Sequence, residues 1–501
     1  MANLLGYDIG SSSVKATLLE AGSGRAVASA TSPAAEMPIL AARPGWAEQA
    51  PELWWKHVKA STAEIRARKP RELREVKAIG ISYHMHGLVI VDKNGRALRP
   101  SIIWCDSRAV EIGNRAWKEI GKRKCLSRLL NSPGNFTAAK LKWVKENEPR
   151  VYAKIHKVML PGDYVAMRMS GEMLTSVSGL SEGIMWDFQK EARADFVLAH
   201  FGIDSGLIAE ARPAFSFQGE LTSAAAKELG LPRGVQISYR SGDQPNNAFS
   251  LRVLEPGEIA TTAGTSAVVY GVGDRPSYDA LSRVNTFVHV NHSARAPRYG
   301  TLLCVNGSGI LYRWLRHNLA AAGGGMSYAA MDRAAGRIPV GSGGLVVLPY
   351  GNGAERTLEN RDLGASIHHL NFNIHSREHL FRAAQEGVVF ALMYGVEIMR
   401  GMGIATGVVR AGNDNMFRSP VFGRTFATVA DARLELFNTD GSRGAARGAG
   451  IGAGIYRGFR EAFAGLNAVR TIDPDRKNRQ AYFEAYGLWK QTLEKQLTER
   501  R

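Results

Sequence analysis

Apolar and polar positions follow two rhythms along this chain. The opening segment LLGYDIGSSSVKATLLE (residues 4–20) sets two apolar, strand-like runs around a polar Gly-Ser-Ser-Ser turn and predicts strand, turn, strand. EQAPELWWKHVKASTAEIRA then switches to helical spacing, which predicts a helix from about residue 51. Further strands are expected at VKAIGIS (76–82) and LVIVD (88–92), the second followed by an Asn-Gly-Arg turn. Helices are expected over 138–147 (AAKLKWVKEN) and over 222–230 (TSAAAKELG), the latter ended by Gly230. Half a chain after the opening, EIATTAGTSAVVYGV (258–272) again reads strand, Gly-Thr-Ser turn, strand. The apolar stretch 377–403 predicts a long helix, and a charged helix packed on the outside is expected from Asp473 onward. Alternating strands and helices predict an α/β fold, and the repeated strand–turn–strand suggests an internal duplication.

At 501 residues the chain exceeds what a single core serves, so two or more domains are expected. Its 45% hydrophobic and 22% charged residues are those of an ordinary globular protein. No apolar run is long enough to cross a bilayer, and MANLLGYDIG lacks the features of a secretion signal. Cys105, Cys125 and Cys304 form no CxxC pair, which argues against a disulfide framework and a zinc site and leads us to expect a reducing cytoplasm. The net charge of +18 attracts anions, yet the basic residues are dispersed. Their densest knots, RARKPRELRE (66–75) and GKRK (121–124), are short and interrupted. That pattern describes a solvated basic surface, and neither a nucleic-acid nor a membrane partner is expected.

The phosphate motifs GxxxxGK[ST] and GxGxxG are both missing, and GAGIGAG (448–454) has its glycines at alternate positions. A tight Gly/Ser turn can still hold phosphate through successive backbone amides. DIGSSS and AGTS are two such turns, one in each half, although either alone reads more simply as a hairpin. His84 and His86 stand two apart, on one face if this is a strand, and no third metal ligand is evident by spacing. The more economical reading is a polar strand end that hydrogen-bonds a hydroxylated ligand. His375 and His379 are expected on the surface. YRSGDQPNNAFS (239–250) concentrates Asp243, Gln244 and two Asn ahead of the second strand–turn–strand. Asp243 suits a helix N-cap and equally the carboxylate that accepts a hydroxyl proton during phosphoryl transfer. Lys15 lies on the outgoing strand and is assigned no phosphate contact.

A series of segments then agrees in order over nearly the whole length: YDIGSSSVKATLLE, PGWAEQAPELWW (44–55), HMHGLVIVD, LRPSIIWCDSRA (98–109), NFTAAKLKWVKENEP (135–149), LPGDYVAMRMSGE (160–172), SGDQPNNA, TTAGTSAVV, LPYGNGAERT (348–357) and EGVVFALMYGVE (386–397). Through them the chain resembles the FGGY carbohydrate kinases. The resemblance implies two ribonuclease-H-like domains of the actin-like ATPase kind, with an active-site cleft between them. It places the N-terminal FGGY domain at 1–250, with sugar binding and the first phosphate loop. The C-terminal FGGY domain follows at 251–501, with ATP binding and a helical extension from about 473. It implies that Asp8 lies near Mg²⁺ and the phosphates, with Gly10, Ser11, Ser12 and Ser13 as the first phosphate loop. Met85 and His86 would contact a ketose, Asp106 and Phe136 would lie close to the sugar, and Asp243 would be the general base. Gly264, Thr265 and Ser266 would form the second phosphate loop, and Gly412 with Asn413 would line the adenosine site. The implied activity is ATP-dependent phosphorylation of a sugar hydroxyl, D-xylulose first. The alternatives are ribulose, gluconate or glycerol as acceptor, or a non-catalytic actin-like nucleotide-binding protein. A homodimer is compatible with the resemblance.

Four departures stand out: Tyr83-His84 where such kinases have Gly-Gln, SGDQPNN in place of GGDN or GDNA, RAGNDNMFRS (410–419) in place of GGGA, and ERTL in place of ERTP. His84 and Gln244 fall where sugar hydroxyls would be read. Asn413 and Asp414 replace a glycine and a small residue beside adenine.

Overall fold

The computed structural model describes residues 2–319 and 325–499. The chain forms two compact units. The first takes Met1–Arg252 together with two returning segments, Phe287–Tyr299 and Thr439–Leu466. The second takes Val253–Thr286, Gly300–Asn438 and Asn467–Arg501. The first change of unit lies close to the break expected near residue 250, but the units are not two continuous blocks. A short segment that returns to an earlier unit leaves no signature in hydrophobic periodicity.

In the first unit, β1 (Asn3–Ile9), β2 (Val14–Glu20), β3 (Ala26–Ser32), β4 (Val76–Tyr83) and β5 (Gln236–Gly242) form a sheet in the order β5-β4-β1-β2-β3. The β1–β2 and β2–β3 pairs are antiparallel, and the β1–β4 and β4–β5 pairs are parallel. Both faces of the central strands are covered, which is why they read as near-continuous apolar runs. One face packs Leu5, Tyr7, Ile9, Ile79 and Ile81 with Trp54, Val58 and Ile65 of the helix Pro51–Arg68. Three helices position the site: α1 (Val177–Glu182), α2 (Asp243–Ser250) and α3 (Gly441–Gly452).

The glycine-rich run 448–454 that fits no nucleotide motif belongs largely to α3, which lies on β1, β4 and β5 at backbone contact. A Cβ on Gly6 would stand 1.9 Å from the Ser442 carbonyl oxygen, and one on Gly80 1.9 Å from that of Ala445. A Cβ on Gly448 would meet the Tyr239 ring at 2.5 Å. These glycines are there for close packing between helix and sheet.

The second unit repeats the plan. β6 (Glu258–Ala263), β7 (Ala267–Gly273), β8 (Val408–Gly412) and β9 (Arg433–Phe437) lie within a seven-stranded sheet in the order β7-β6-β8-β9. β6–β7 is antiparallel, while β6–β8 and β8–β9 are parallel. This is the pairing of β2, β1, β4 and β5 over again, so the duplication suggested by two short turns extends to the sheets themselves.

The long apolar helix runs Arg377–Gly401 and places Val388, Val389, Leu392 and Val396 in the core. The C-terminal helix departs from expectation. It begins at Arg479, after Asp473 has paired with Arg433 at 2.8 Å, and it is not merely external. Tyr482, Tyr486, Trp489 and Leu493 enter the same core, and the Trp489 indole N–H donates to the Val347 carbonyl at 3.0 Å. One apolar stripe within a charged helix suffices for this.

Candidate functional site

The parallel register of the first sheet brings its chemistry to one edge. Asp8 on β1 stands opposite Ser82 on β4, and Ser82 opposite Ser241 on β5, so the carboxyl ends of three strands finish together. In open α/β sheets this edge is where ligands bind. The Ser82 hydroxyl donates to Asp8 Oδ1 at 2.8 Å. Burial pushes the Asp8 carboxyl above its ordinary range and Asp440 adds to this, against the Ser82 hydrogen bond and the Lys15 charge. The turn after β1 is closed by the Gly10 N–H donating to the Ser13 carbonyl at 2.9 Å, and Ser12 is its exposed tip.

β5 runs directly into α2. Gly242 takes the N-cap position, and Asp243 is the first helical residue. The N-cap reading of Asp243 therefore passes to Gly242, while a carboxylate in the first turn still favours the helix dipole. Its pKa is pushed up to about 7, first by burial and then by the charge of Asp8, with the Gln244 N–H working against both.

Asp440 completes this group, and the sequence does not single it out. It caps α3, accepting from the Arg443 N–H at 3.0 Å and the Ser442 hydroxyl at 2.7 Å, and pairs with Lys15 at 2.9 Å. Burial opposes its charge, but Lys15 and these hydrogen bonds prevail and hold its carboxyl below the usual range. Lys15 thus has a partner within its own unit. The signal that could have found Asp440 is Asp-Gly-Ser before a run of small helical residues.

The histidine segment corrects the strand reading. β4 ends at Tyr83, and His86 has φ +63°, so His84 and His86 do not share a strand face. His84 turns inward and is 3% exposed, its ring 5.1 Å from that of Trp54. Burial, reinforced by Lys140, lowers its pKa to about 3 and keeps it neutral, so it is no surface hydrogen-bonding group. His86 faces the other way, with its ring centroid 4.9 Å from that of Phe136. Its Nδ1–H donates to the Glu182 carbonyl at 2.9 Å. Met85 packs against the residue before Asp243, since a Cβ on Gly242 would lie 2.6 Å from Met85 Cγ. Met85, His86, Phe136 and Asp243 are therefore brought together.

Asp106 joins them by its backbone only. Its carboxyl is wholly buried and engaged by the Ala47 N–H at 2.6 Å and the Arg108 guanidinium at 2.7 Å. Its carbonyl accepts from the Asn135 side chain, next to Phe136. Lys140, also unforeseen, is fully buried and donates to the His86 carbonyl at 2.9 Å and the Ile103 carbonyl at 3.0 Å. Burial lowers its pKa to about 7, against the pull of Asp106.

The second unit has its own site. The Gly264–Ser266 turn joins β6 to β7, its Gly264 carbonyl accepting from the Gly309 N–H at 2.9 Å and its Thr265 carbonyl from the Ile310 N–H at 3.2 Å. It opens on a cavity of about 920 Å³ whose lining includes Gly264, Thr265, Arg313, Arg333, Arg337 and Arg418. One wall is a fixed hydrogen-bond chain. Ser419 donates to Gln385 at 2.6 Å, Gln385 to the Tyr312 hydroxyl at 2.8 Å, and Tyr312 to Asp332 at 2.9 Å. Gly412 ends β8, and the Asn413 N–H continues the strand pairing by donating to the Phe437 carbonyl at 2.9 Å. Neither is among the described lining residues, nor is Ser266, whereas Asp414 and Asn415 are.

The family model for the N-terminal domain of the FGGY family of carbohydrate kinases matches residues 3–250. A xylulose kinase of Klebsiella pneumoniae is 29% identical over 401 residues, covering 80% of this chain and 79% of its own. Among solved structures, a xyloylose kinase from Brucella ovis superposes with a TM-score of 0.90 at 26% identity, covering 100% of both chains. A xylulose kinase from Rhodospirillum rubrum gives 0.88 at 26% identity over 98% of each. A shared two-domain ribonuclease-H-like fold, a family match across the first unit's main segment and relatives matched along most of the chain agree, and the protein belongs to the FGGY family of carbohydrate kinases.

Proposed function

We propose that this kinase transfers the γ-phosphoryl group of ATP to the terminal hydroxyl of D-xylulose, giving D-xylulose 5-phosphate and ADP. The observation that supports it most is Asp243, a carboxylate with a pKa near 7 at the carboxyl edge of the parallel strands, directly after Gly242, against which Met85 packs. A general base works best when its pKa lies near the operating pH. The sugar oxygen bonds to the γ-phosphorus as the bond to the β-phosphate oxygen breaks, and the hydroxyl proton passes to Asp243. Met85, His86 and Phe136 would hold the ketose, with Asp106 fixing the loop from behind.

Gly10–Ser13 and Gly264–Ser266 would offer amides to the phosphates, and the four arginines of the large cavity suit a polyanionic nucleotide. The adenosine contact expected at Gly412 and Asn413 would fall to Asp414 and Asn415.

Mg²⁺ fits the donor set. Asp8 and Asp243 are mutually repelling hard-oxygen groups, and Mg²⁺ ordinarily takes one or two carboxylates with phosphate oxygens and water. It therefore needs no protein-only cage, and among the described residues no three His, Cys, Asp or Glu side chains form one. Asp8 would hold the ion, which when bound offsets charge on the phosphates.

The sugar assignment is supported by relatives that are xylulose kinases. ADP release measured over D-xylulose, ribulose, gluconate and glycerol is expected to give D-xylulose the highest kcat/KM. ATP binding with no phosphorylated product from any sugar would overturn the kinase reading in favour of a non-catalytic nucleotide binder.

A further inference from the structure

α1 ends at Glu182, a residue with no part in the proposed proton transfer. Its side chain is 0% exposed, and its carboxyl meets no cation among the described residues, its polar neighbours being the His86 backbone and the Tyr83 hydroxyl. A buried carboxylate with no cation beside it is expensive to ionise, and its surroundings favour the neutral form. Here burial pushes the Glu182 carboxyl well above its ordinary range, and the charges of Asp243 and Asp163 push it further. The His86 backbone and the Tyr83 hydroxyl pull the other way without cancelling this. Behind it, Asp163 is paired with Arg240 at 3.2 Å, both side chains 1% exposed.

The position of Glu182 is as telling as its burial. Its carbonyl receives the His86 Nδ1–H at 2.9 Å. Its Oε2 lies 2.4 Å from where a Cβ of Gly242 would stand, on the residue that precedes Asp243. One side chain and its own backbone thus touch both the histidine that faces the sugar and the turn that carries the base.

We propose that Glu182 is a positioning residue that holds the His86 segment and the Asp243 turn in one fixed geometry. This role rests on Asp243 being the proton acceptor of phosphoryl transfer. As a neutral acid Glu182 fills the space behind Gly242 without adding charge. Once ionised it would set a second anion behind Asp243, among Asp163, Arg240, Tyr83 and His86, and activity would fall on the alkaline side.

The test is steady-state kinetics of full-length E182Q and E182L from about pH 6 to about pH 10, with thermal denaturation of each. Glutamine mimics the neutral acid, so E182Q is expected within about threefold of wild-type kcat/KM at neutral pH, with its alkaline limb gone or moved upward. E182L is expected to lose about tenfold or more in sugar kcat/KM with an unchanged KM for ATP. An active wild type whose alkaline limb persists in E182Q, or whose kcat/KM survives in E182L, overturns the inference alone. If E182L does not fold, the alkaline limb of E182Q decides. A wild type inert toward every sugar overturns the kinase reading and this inference with it.

Discussion

Asp8 lies two residues before the Gly10–Ser13 turn of the first unit, with Asp243 and Asp440 gathered at the same sheet edge. In the second unit the corresponding turn, Gly264–Ser266, opens on a cavity with Arg313, Arg333, Arg337 and Arg418 in its lining. The strand pairing around the two turns is the same, and the charge is opposite. Backbone pairing fixes the order of β1, β2, β4 and β5 and of their counterparts whatever the side chains at the edge. Turns and helix starts are not so constrained, so a duplicated scaffold can take a proton acceptor in one copy and an anion cavity in the other.

The largest expected effect tests the acidic copy. Asp243→Ala should lower kcat by about a thousandfold, the upper-middle range for a general base, with sugar KM nearly unchanged in an ADP-release assay. Near-normal turnover would remove the proton acceptor from the first unit and break the comparison there. Asp8→Asn should cost about a hundredfold in kcat and raise the Mg²⁺ concentration needed for half-maximal rate, read from a metal titration. If Asp8→Asn instead altered only sugar KM, the acid would belong to the sugar and not to the phosphates.

The basic copy is tested by charge reversal. Arg333→Glu and Arg418→Glu should each raise KM for ATP about tenfold and leave sugar KM alone. A change in sugar KM would blur the division between the units.

The smallest effect is on pH. With Asp243 at about 7, wild-type kcat/KM should fall as pH drops below that value and the base is protonated. Stability carries the opposite sign. A carboxyl raised from 3.8 to about 7 contributes stability that is present below 3.8 and lost as pH rises through about 7. Asp243→Asn should therefore raise Tm near pH 8 by about 2–4 °C while abolishing activity. A lower Tm would show that the carboxylate is a structural partner and not a strained base.

Much of the fold is legible in the chain. The strands at Val14–Glu20 and Val76–Tyr83 and the helices at Pro51–Arg68 and Ser223–Leu229 lie close to where periodicity and end signals predict them. Those signals are local, and local propensity agrees with the final structure there. Gly230 ends its helix at φ +67°, as a glycine after a helix should. His84 escapes such reasoning because apolar and polar alternation gives no mark of the strand's end at Tyr83, and only Trp54 shows which way the ring turns. The C-terminal helix reads as external because its charged residues outnumber the stripe holding Trp489. Asp440, Lys140 and Glu182 go unnoticed for a common reason. Their partners, Lys15, His86 and Gly242, stand tens to hundreds of residues away, and spacing carries no trace of such pairs.

By itself the sequence determined the α/β rhythm, the duplicated strand–turn–strand, the family and the residues around which a site would form. Each follows from order along the chain. The tertiary structure decided which acids are close enough to raise one another's pKa. It also turned the His84 ring toward Trp54 and the His86 ring toward Phe136, and gave Gly448, Gly450 and Gly452 to packing. These outcomes depend on burial and on distances between remote residues. Electrostatic and desolvation energies change steeply with both, and neither is written in the order of the amino acids.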